Sequence, residues 1–337
     1  MALSFSEVNR FKKDSKEYIL KVAKGKEMDV TVSQIKYLLD LPQNLKDKFP
    51  KVESYTIEND KVTYVYPFYD LNMLDKVLVN NEDDVEILEQ LLSEVITFMC
   101  KEVYTLDNKT TDENFFNKKY LTRTESRVQY LLEEREDLKK LITSDEIEIN
   151  GRCYLNINEC MKIIKSSPKL QLLIPNKLCK VHGDLLAEHI LYDARDKEKI
   201  KFILIDPRCD SEGGDVAYDL AKLYQSIEGK FYEFISGNFE YDCDYEKEIP
   251  VVNFRVKTLR NSSDYKSLQD RVKSAIDKFQ DNSLFKNIDM RICFAEACHF
   301  IGAPPFYTGS EFKNRLAEIL YIQGVIQLNK FISTYIL

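Results

Sequence analysis

The chain has 337 residues, contains no tryptophan and only three histidines, and none of its eight cysteines belongs to a CxxC pair. Because zinc sites usually need closely spaced cysteine or histidine pairs, the cysteines are predicted to be reduced and mostly buried. The apolar runs are far shorter than the roughly 20 residues that a membrane-spanning helix needs. Residues 1–5 also lack the basic and apolar regions of a secretory signal. We therefore expect a cytoplasmic protein without a membrane span.

An excess of positive charge is also absent, since 48 basic residues face 56 acidic ones and the formal net charge is -8. This balance argues against nucleic acid or an anionic membrane as the main partner. The hydrophobic fraction of 44% and charged fraction of 31% are typical of a globular protein that folds as one large domain or two modest ones. The composition does not indicate an oligomeric state.

The first seventy residues have the apolar spacing of a small sheet with one helix. β-rich segments bounded by turn residues favour strands, and apolar residues at helical spacing before Pro42 favour a helix. The predicted elements are a hairpin over 5–11 and 18–23, a helix over 29–41, and a second hairpin over 51–59 and 61–69.

The rest of the chain reads as mostly helical, with one short hairpin. Apolar residues recur at helical spacing in most of its segments. The hairpin is predicted over 190–192 and 202–205, and the helices over 84–104, 125–142, 158–166, 217–226, 254–285, 288–301 and 311–335. The sequence therefore predicts an α+β protein with a small lobe over 1–70 and a larger, mainly helical lobe over 71–337, separated by a cleft.

Two aspartates flank the predicted hairpin. Asp184 lies in the loop before its first strand, and Asp206 directly follows its second strand. If the strands pair, both carboxylates lie at one end of the hairpin. Phosphoryl transfer to a hydroxyl needs a carboxylate at the acceptor and a second one for a metal ion, so this pair suits that chemistry. The alternative is a pair of turn or cap carboxylates, which are common in hairpins.

Three ordered blocks around these aspartates resemble the aminoglycoside phosphotransferase and choline kinase family. The blocks are His182-Gly183-Asp184 through His189-Ile190-Leu191, then Ile205-Asp206-Pro207, then Gly214-Asp215 through Ala221. The resemblance implies a protein-kinase-like two-lobe fold, with a small sheet-plus-helix N-lobe over 1–70 and a C-lobe over 71–337. It also implies a phosphotransferase that uses ATP or GTP with Mg²⁺.

The same resemblance implies a role for each matching residue. Asp184 would orient or deprotonate the acceptor hydroxyl, Asp206 would be the main magnesium ligand, and His182, Asp215 and Asp219 would be structural. Lys21 would contact the nucleotide phosphates, although a solvated strand lysine is the alternative. The other expected residues of the nucleotide site are Ser4 and Ser6 in the phosphate-covering loop, and Tyr66 and Phe68 in the hinge beside the adenine. Gln34 is also assigned to this site, in a weaker, uncharged role beside Lys21.

The chain departs from the family pattern at three points. His189 stands where the family has an asparagine metal ligand, Gln34 stands where a glutamate would pair with Lys21, and the phosphate-covering loop has no glycine. Mg²⁺ prefers oxygen ligands to an imidazole nitrogen. In the leading interpretation, His189 is an unusual metal ligand in a working kinase.

Two functions from different classes follow. The first is a small-molecule kinase acting on a hydroxyl of a sugar, aminoglycoside or amino alcohol. The Asp-Pro-Arg sequence at 206–208 is similar to that of bacterial members associated with surface-polysaccharide metabolism. The second is a catalytically impaired, kinase-like nucleotide-binding protein with a regulatory or scaffolding role. A kinase acting on a protein substrate is a third possibility.

Overall fold

A computed structural model describes residues 6–196, 199–208 and 212–337. Its strands are β1 (Glu7–Lys13), β2 (Lys16–Lys24), β3 (Ser54–Ile57), β4 (Lys61–Pro67), β5 (Asn72–Met73), β6 (Lys109–Thr110), β7 (Glu146–Ile149), β8 (Arg152–Leu155), β9 (Lys177–Leu178), β10 (Ile190–Asp193), β11 (Lys201–Leu204), β12 (Phe239–Asp244) and β13 (Val251–Val256). Its α-helices are α1 (Glu27–Leu39), α2 (Leu74–Asn80), α3 (Val85–Phe98), α4 (Glu113–Phe116), α5 (Arg123–Glu134), α6 (Lys139–Thr143), α7 (Ile157–Ser166), α8 (Val216–Ile227), α9 (Phe231–Ile235), α10 (Ser262–Asp277), α11 (Ile288–Ile301) and α12 (Glu311–Phe331).

The chain folds into two compact units, each made of three segments. Unit 1 comprises Met1–Lys109, Leu178–Asp219 and Asp270–Lys278. Unit 2 comprises Thr110–Lys177, Leu220–Gln269 and Phe279–Leu337.

The first sheet of unit 1 is antiparallel, with strand order β1-β2-β4-β3. A two-residue turn joins β1 to β2, and Asp14 and Ser15 both have positive φ there, at 49° and 64°. Such turns match the natural twist of a hairpin, and Asp tolerates the left-handed conformation better than most residues. On the inner side, Ile35 and Leu38 of α1 are buried, as are Ala23 and Val62 of the sheet. Both predicted hairpins and the predicted helix of this region are confirmed.

The second sheet of unit 1 has the order β11-β10-β5. β10 and β11 pair antiparallel, with Ile190 opposite Leu204, which confirms the predicted short hairpin. Ile190 and Leu204 are fully buried. Buried apolar residues thus hold the hairpin in place, and its Ile190–Leu204 end carries the candidate site.

Unit 2 contains a sheet that the sequence did not indicate. Its order is β12-β13-β7-β8, and β13 runs parallel to β7, with Val251 opposite Glu148. The predicted helix over 254–285 is therefore wrong at both ends, because β13 extends to Val256 and α10 covers only Ser262–Asp277.

The predicted single helix over 125–142 is also wrong. α5 ends at Glu134, because Arg135 leaves the helical region with φ -137° and ψ 72°. Its guanidinium makes paired hydrogen bonds of 2.8 and 2.7 Å to Asp137 and also contacts Glu318. The chain then resumes as a short 3-10 turn followed by α6.

The last two long helices, α11 and α12, confirm the predicted positions and form much of the core of unit 2. Nearly all of α11 is buried, including Phe294 and Phe300. On α12, Leu320 and Val325 are fully buried. Within the described residues, no helix is both long and apolar enough to cross a membrane.

Candidate active site

The β10–β11 hairpin fixes where His189 and Asp206 lie. His189 immediately precedes β10, Asp206 lies two residues after β11, and the backbone N–H of Ile205 donates a 2.9 Å hydrogen bond to the His189 carbonyl. Asp206 has φ 55° and therefore turns the chain sharply at the end of the hairpin. His189 and Asp206 therefore lie at the same end of the hairpin.

Asp219 braces the loop that carries Asp184. Its two carboxylate oxygens each accept a 2.6 Å hydrogen bond, one from the backbone N–H of His182 and the other from that of Gly183. Tyr104 donates a longer bond of 3.3 Å to the same carboxylate. Burial raises the pKa of Asp219 to about 7, while these hydrogen bonds act in the opposite direction. The two backbone hydrogen bonds are consistent with the structural role that the resemblance implied.

His182 is fully buried and fixed in one neutral tautomer. Its Nε2 lies 2.9 Å from the Ile205 carbonyl, which can only accept a hydrogen bond, so Nε2 carries the proton. Its Nδ1 then accepts from the backbone N–H of Asp184 at 3.3 Å. Burial, with a smaller effect of His189, lowers the pKa of His182 to about 3. His182 therefore ties the Asp184 loop to the end of β11 without adding charge.

Lys21, Gln34 and Asp206 form a buried polar cluster. Lys21 Nζ lies 3.1 Å from Asp206 Oδ1 and 3.1 Å from Gln34 Oε1, while Gln34 Nε2 donates a 2.8 Å bond to the same Asp206 oxygen. The Lys21 side chain is 6% exposed and that of Asp206 24% exposed. Burial raises the pKa of Asp206, but the charge of Lys21, followed by that of His189 and the two hydrogen bonds, brings it below the ordinary value. The solvated-strand alternative for Lys21 is therefore wrong.

His189 is held against the Asp184 loop by its Nδ1 atom. This atom lies 2.7 Å from the Asp184 carbonyl oxygen and 3.9 Å from Asp184 Oδ2. Because the carbonyl only accepts, Nδ1 carries a proton, and the Nε2 of a neutral His189 is left with a lone pair. In the part of the chain that the structure describes, Nε2 has no hydrogen-bond partner.

The expected nucleotide-contacting residues lie partly within the described region. Tyr66 is buried on β4, its ring centroid is 4.9 Å from that of Tyr64, and burial, with a further effect of Asp206, raises its pKa. Phe68 is half-buried, and the Arg10 guanidinium lies 3.6 Å from its ring centroid. Ser6 is 8% exposed, and Ser4 lies outside the described residues.

Arg208 is a charged neighbour of this site that the sequence analysis did not assign. Its Nε lies 3.5 Å from Asp184 Oδ2, and its backbone N–H donates a 2.5 Å hydrogen bond to the His182 carbonyl. The only signal in the sequence is its position two residues after Asp206, beyond Pro207.

The site offers a magnesium ion few protein ligands. Across residues 6–196, 199–208 and 212–337, no three His, Cys, Asp or Glu side chains form a ready-made metal site. Asp206 Oδ2, however, has no hydrogen-bond partner among those residues, because Lys21 and Gln34 both contact Oδ1. Proteins usually hold Mg²⁺ at nucleotide sites through one or two carboxylates together with phosphates and waters. The open oxygen of Asp206 fits such an ion, and the His189 nitrogen fits it less well.

Comparison with solved structures identifies a known fold over most of the chain. A Haemophilus somnus 129PT protein assigned as a fructosamine-3-kinase superposes with a TM-score of 0.51 at 12% identity, covering 94% of this chain and 87% of that one. The chain has a protein-kinase-like fold. An aminoglycoside-3'-phosphotransferase of type VIII matches with a TM-score of 0.44 at 11% identity, covering 95% and 89% of the two chains. No protein-family model and no curated protein matches the sequence.

Proposed function

We propose that this chain is a small-molecule kinase that transfers the terminal phosphate of ATP or GTP to a hydroxyl group of a sugar, an aminoglycoside or an amino alcohol. The observation that carries the proposal is the convergence of Asp184, Asp206 and Lys21 within unit 1. One carboxylate lies on a braced loop, the other has an open oxygen, and a buried cation contacts the second. The fructosamine-3-kinase fold supports the same reaction class.

In this proposal, Asp184 accepts the acceptor hydroxyl proton. The hydroxyl oxygen forms a bond to the terminal phosphorus, and the bond from that phosphorus to the bridging oxygen breaks, so its electron pair leaves with the nucleoside diphosphate. Lys21 neutralises phosphate charge. The Asp219 and His182 hydrogen bonds hold the Asp184 loop rigid, so that the carboxylate is already oriented when the acceptor arrives.

Asp206 would hold the magnesium ion through its open oxygen, with His189 as a second candidate ligand. When bound, the ion would neutralise charge on the nucleotide phosphates. Ser4, Ser6, Tyr66 and Phe68 would contact the nucleotide. We also propose that the boundary between the two lobes lies near residue 70 and that the protein is cytoplasmic.

The test is acceptor-dependent release of ADP or GDP by the full chain across a panel of sugars, aminoglycosides and amino alcohols. Asp184→Asn is expected to lower kcat by about 100-fold or more, the scale of a lost general base, without weakening nucleotide binding. Asp193→Asn is the matched control, because Asp193 lies at the other end of the same hairpin, where it bonds Arg195. Undiminished turnover by Asp184→Asn would exclude the assigned role.

A second candidate, a nucleotide-binding protein without transfer activity, is favoured by one observation. Lys21 and Gln34 both contact Asp206 Oδ1, so the proposed metal ligand is engaged by protein groups. Calorimetric titration with ATP and with GTP, each with and without Mg²⁺, distinguishes the two. Nucleotide affinity that is the same with and without Mg²⁺ would favour this second function, if the protein also transfers phosphate to no acceptor of the panel.

A further inference from the structure

Arg208 is anchored to the Asp184 loop through its main chain. Its backbone N–H donates to the His182 carbonyl at 2.5 Å, and Asp206 and Pro207 immediately before it form the turn after β11. Proline fixes its own φ, and the left-handed φ of 55° at Asp206 fixes the turn before it. The backbone from which the Arg208 side chain extends is therefore held in position by the same turn and loop that hold the two aspartates.

The guanidinium makes one long contact and keeps most of its donors available. Its Nε is 3.5 Å from Asp184 Oδ2, and the side chain is 39% exposed. Charge-assisted bonds from a guanidinium to a carboxylate are typically about 2.7–2.9 Å, so this contact is loose. Neither Nη atom has a hydrogen-bond partner within residues 6–196, 199–208 and 212–337.

Four carboxylates act electrostatically on this guanidinium, and Asp184 is the one in contact with it. Burial lowers the pKa of Arg208, but Asp184, Asp206, Glu27 and Glu188 together raise it above the ordinary value. An arginine remains charged at any physiological pH, so Arg208 adds a permanent positive charge beside the two aspartates. Lys21 is also a cationic side chain at Asp206, but its ammonium is engaged by Asp206 and Gln34.

We propose that Arg208 is a further catalytic residue, whose two Nη groups bind the non-bridging oxygens of the phosphoryl group being transferred. This inference rests on the proposed kinase function. A planar guanidinium presents parallel donors that match two phosphate oxygens, which a lysine ammonium cannot do. Its loose contact with Asp184 places it beside the group that would receive the acceptor proton. Replacing the 3.5 Å contact with Asp184 by a contact with a phosphate costs little interaction energy, because the existing contact is long.

The simpler alternative is that Arg208 only positions Asp184 through their ion pair. The two roles differ in their effect on nucleotide binding. A group that contacts the terminal phosphate contributes to the affinity for ATP and much less to that for ADP. A group that positions Asp184 changes kcat and leaves both affinities unchanged.

The experiment is calorimetric titration of the full chain with ATP, ADP, GTP and GDP in the presence of Mg²⁺. Arg208→Gln is expected to weaken binding of the triphosphate by about 10- to 100-fold, the range for lost hydrogen bonds to a charged group. Binding of the corresponding diphosphate should change less than about threefold, which also shows that the variant folds. The triphosphate affinity of Arg208→Lys should lie between those of Arg208→Gln and the unsubstituted protein, because lysine keeps the charge but lacks the parallel donors of the guanidinium.

Arg195→Gln is the matched control, since Arg195 is exposed and bonds Asp193 at the far end of the same hairpin. It should bind both nucleotides as the unsubstituted protein does. Equal affinities of Arg208→Gln and the unsubstituted protein for the triphosphate would overturn the proposal and leave the kinase function standing, and so would equal losses for triphosphate and diphosphate. If the unsubstituted protein binds neither ATP nor GTP, the kinase function fails as well.

Discussion

The side-chain amide of Gln34 donates a 2.8 Å hydrogen bond to Asp206 Oδ1. The orientation of the amide is chemically fixed, because Lys21 offers only donors and an ionised aspartate offers only acceptors. Gln34 Oε1 must therefore face Lys21, at 3.1 Å, while Nε2 faces Asp206. A neutral amide is the group that can bridge this cation and this anion without adding charge.

Replacing Gln34 with glutamate should destabilise the nucleotide-free protein. The new carboxylate would face Asp206 where an N–H now donates, so it repels the aspartate and removes a hydrogen bond. We expect urea unfolding to show a loss of about 1–3 kcal/mol at pH 7. Gln129→Glu is the control, because Gln129 is exposed and its amide likewise faces an acid, Glu133, at 3.0 Å. Its effect should stay within about 0.5 kcal/mol. Equal stability of Gln34→Glu and the unsubstituted protein would show that the cluster does not form.

The Asp206 cluster should also set a pH dependence of stability. Lys21, His189 and Gln34 hold the pKa of Asp206 below its ordinary value, against the effect of burial. The folded protein therefore binds the Asp206 proton less readily than the unfolded chain, whose aspartates titrate near about 3.9. The stabilisation is fully present above that value and is lost as the pH falls through the lower folded pKa.

The measurement is the difference in unfolding free energy between the unsubstituted protein and Asp206→Asn. We expect it to shrink as the pH falls below about pH 4. Asp60→Asn, at an exposed turn, should show no such trend. A difference that grows on acidification would contradict the assigned direction.

The sequence predicted the elements whose signals are local. Two short apolar runs separated by polar residues predict the β10–β11 hairpin, and apolar residues at helical spacing before Pro42 predict α1. β13 was missed because Val251–Val256 mixes apolar with polar and charged residues, and its pairing with β7 joins segments far apart in the chain. The break at Arg135 likewise depends on a distant residue, Glu318. Long-range partners of this kind leave no mark in local periodicity.

In the candidate site, too, some residues could be predicted from the sequence and others could not. The spacing from Lys21 pointed to Gln34, and the structure brings the two side chains together. Arg208 could not be assigned from its surroundings in the sequence. Its contact with Asp184 follows from the left-handed turn at Asp206 and the hydrogen bond to His182, which appear only once the chain is folded.

Replacing Asp219 with asparagine should lower both the stability of the protein and its kcat. Each of its oxygens accepts a 2.6 Å bond from a backbone N–H, and asparagine has only one acceptor oxygen, so its amide N–H₂ would meet a backbone donor. We expect Asp219→Asn to lower the free energy of unfolding by about 1–3 kcal/mol and to lower kcat by loosening the Asp184 loop. Tyr104→Phe removes the 3.3 Å bond to Asp219 and keeps both backbone bonds to that carboxylate, so it should cost less than about 1 kcal/mol. Thermal unfolding and acceptor-dependent turnover check both effects. Similar losses in the two variants would mean that the backbone bonds do not support the loop.

Replacing His189 with asparagine should strengthen the binding of magnesium. The Nδ1–H of His189 donates to the Asp184 carbonyl at 2.7 Å. An asparagine amide N–H₂ can make the same bond, and its amide oxygen, on the side where the imidazole has carbon Cδ2, adds an oxygen ligand for the metal. Because Mg²⁺ prefers oxygen to nitrogen, we expect the Mg²⁺ concentration for half-maximal nucleotide binding to fall, on the order of 10-fold. His189→Ala removes both the bond and the ligand, so it should raise that concentration or leave it unchanged. Titration of Mg²⁺ at fixed nucleotide, followed by calorimetry, makes the measurement. If asparagine and alanine behave alike, position 189 contributes nothing to the metal site, and Asp206 with the phosphates is sufficient to hold the ion.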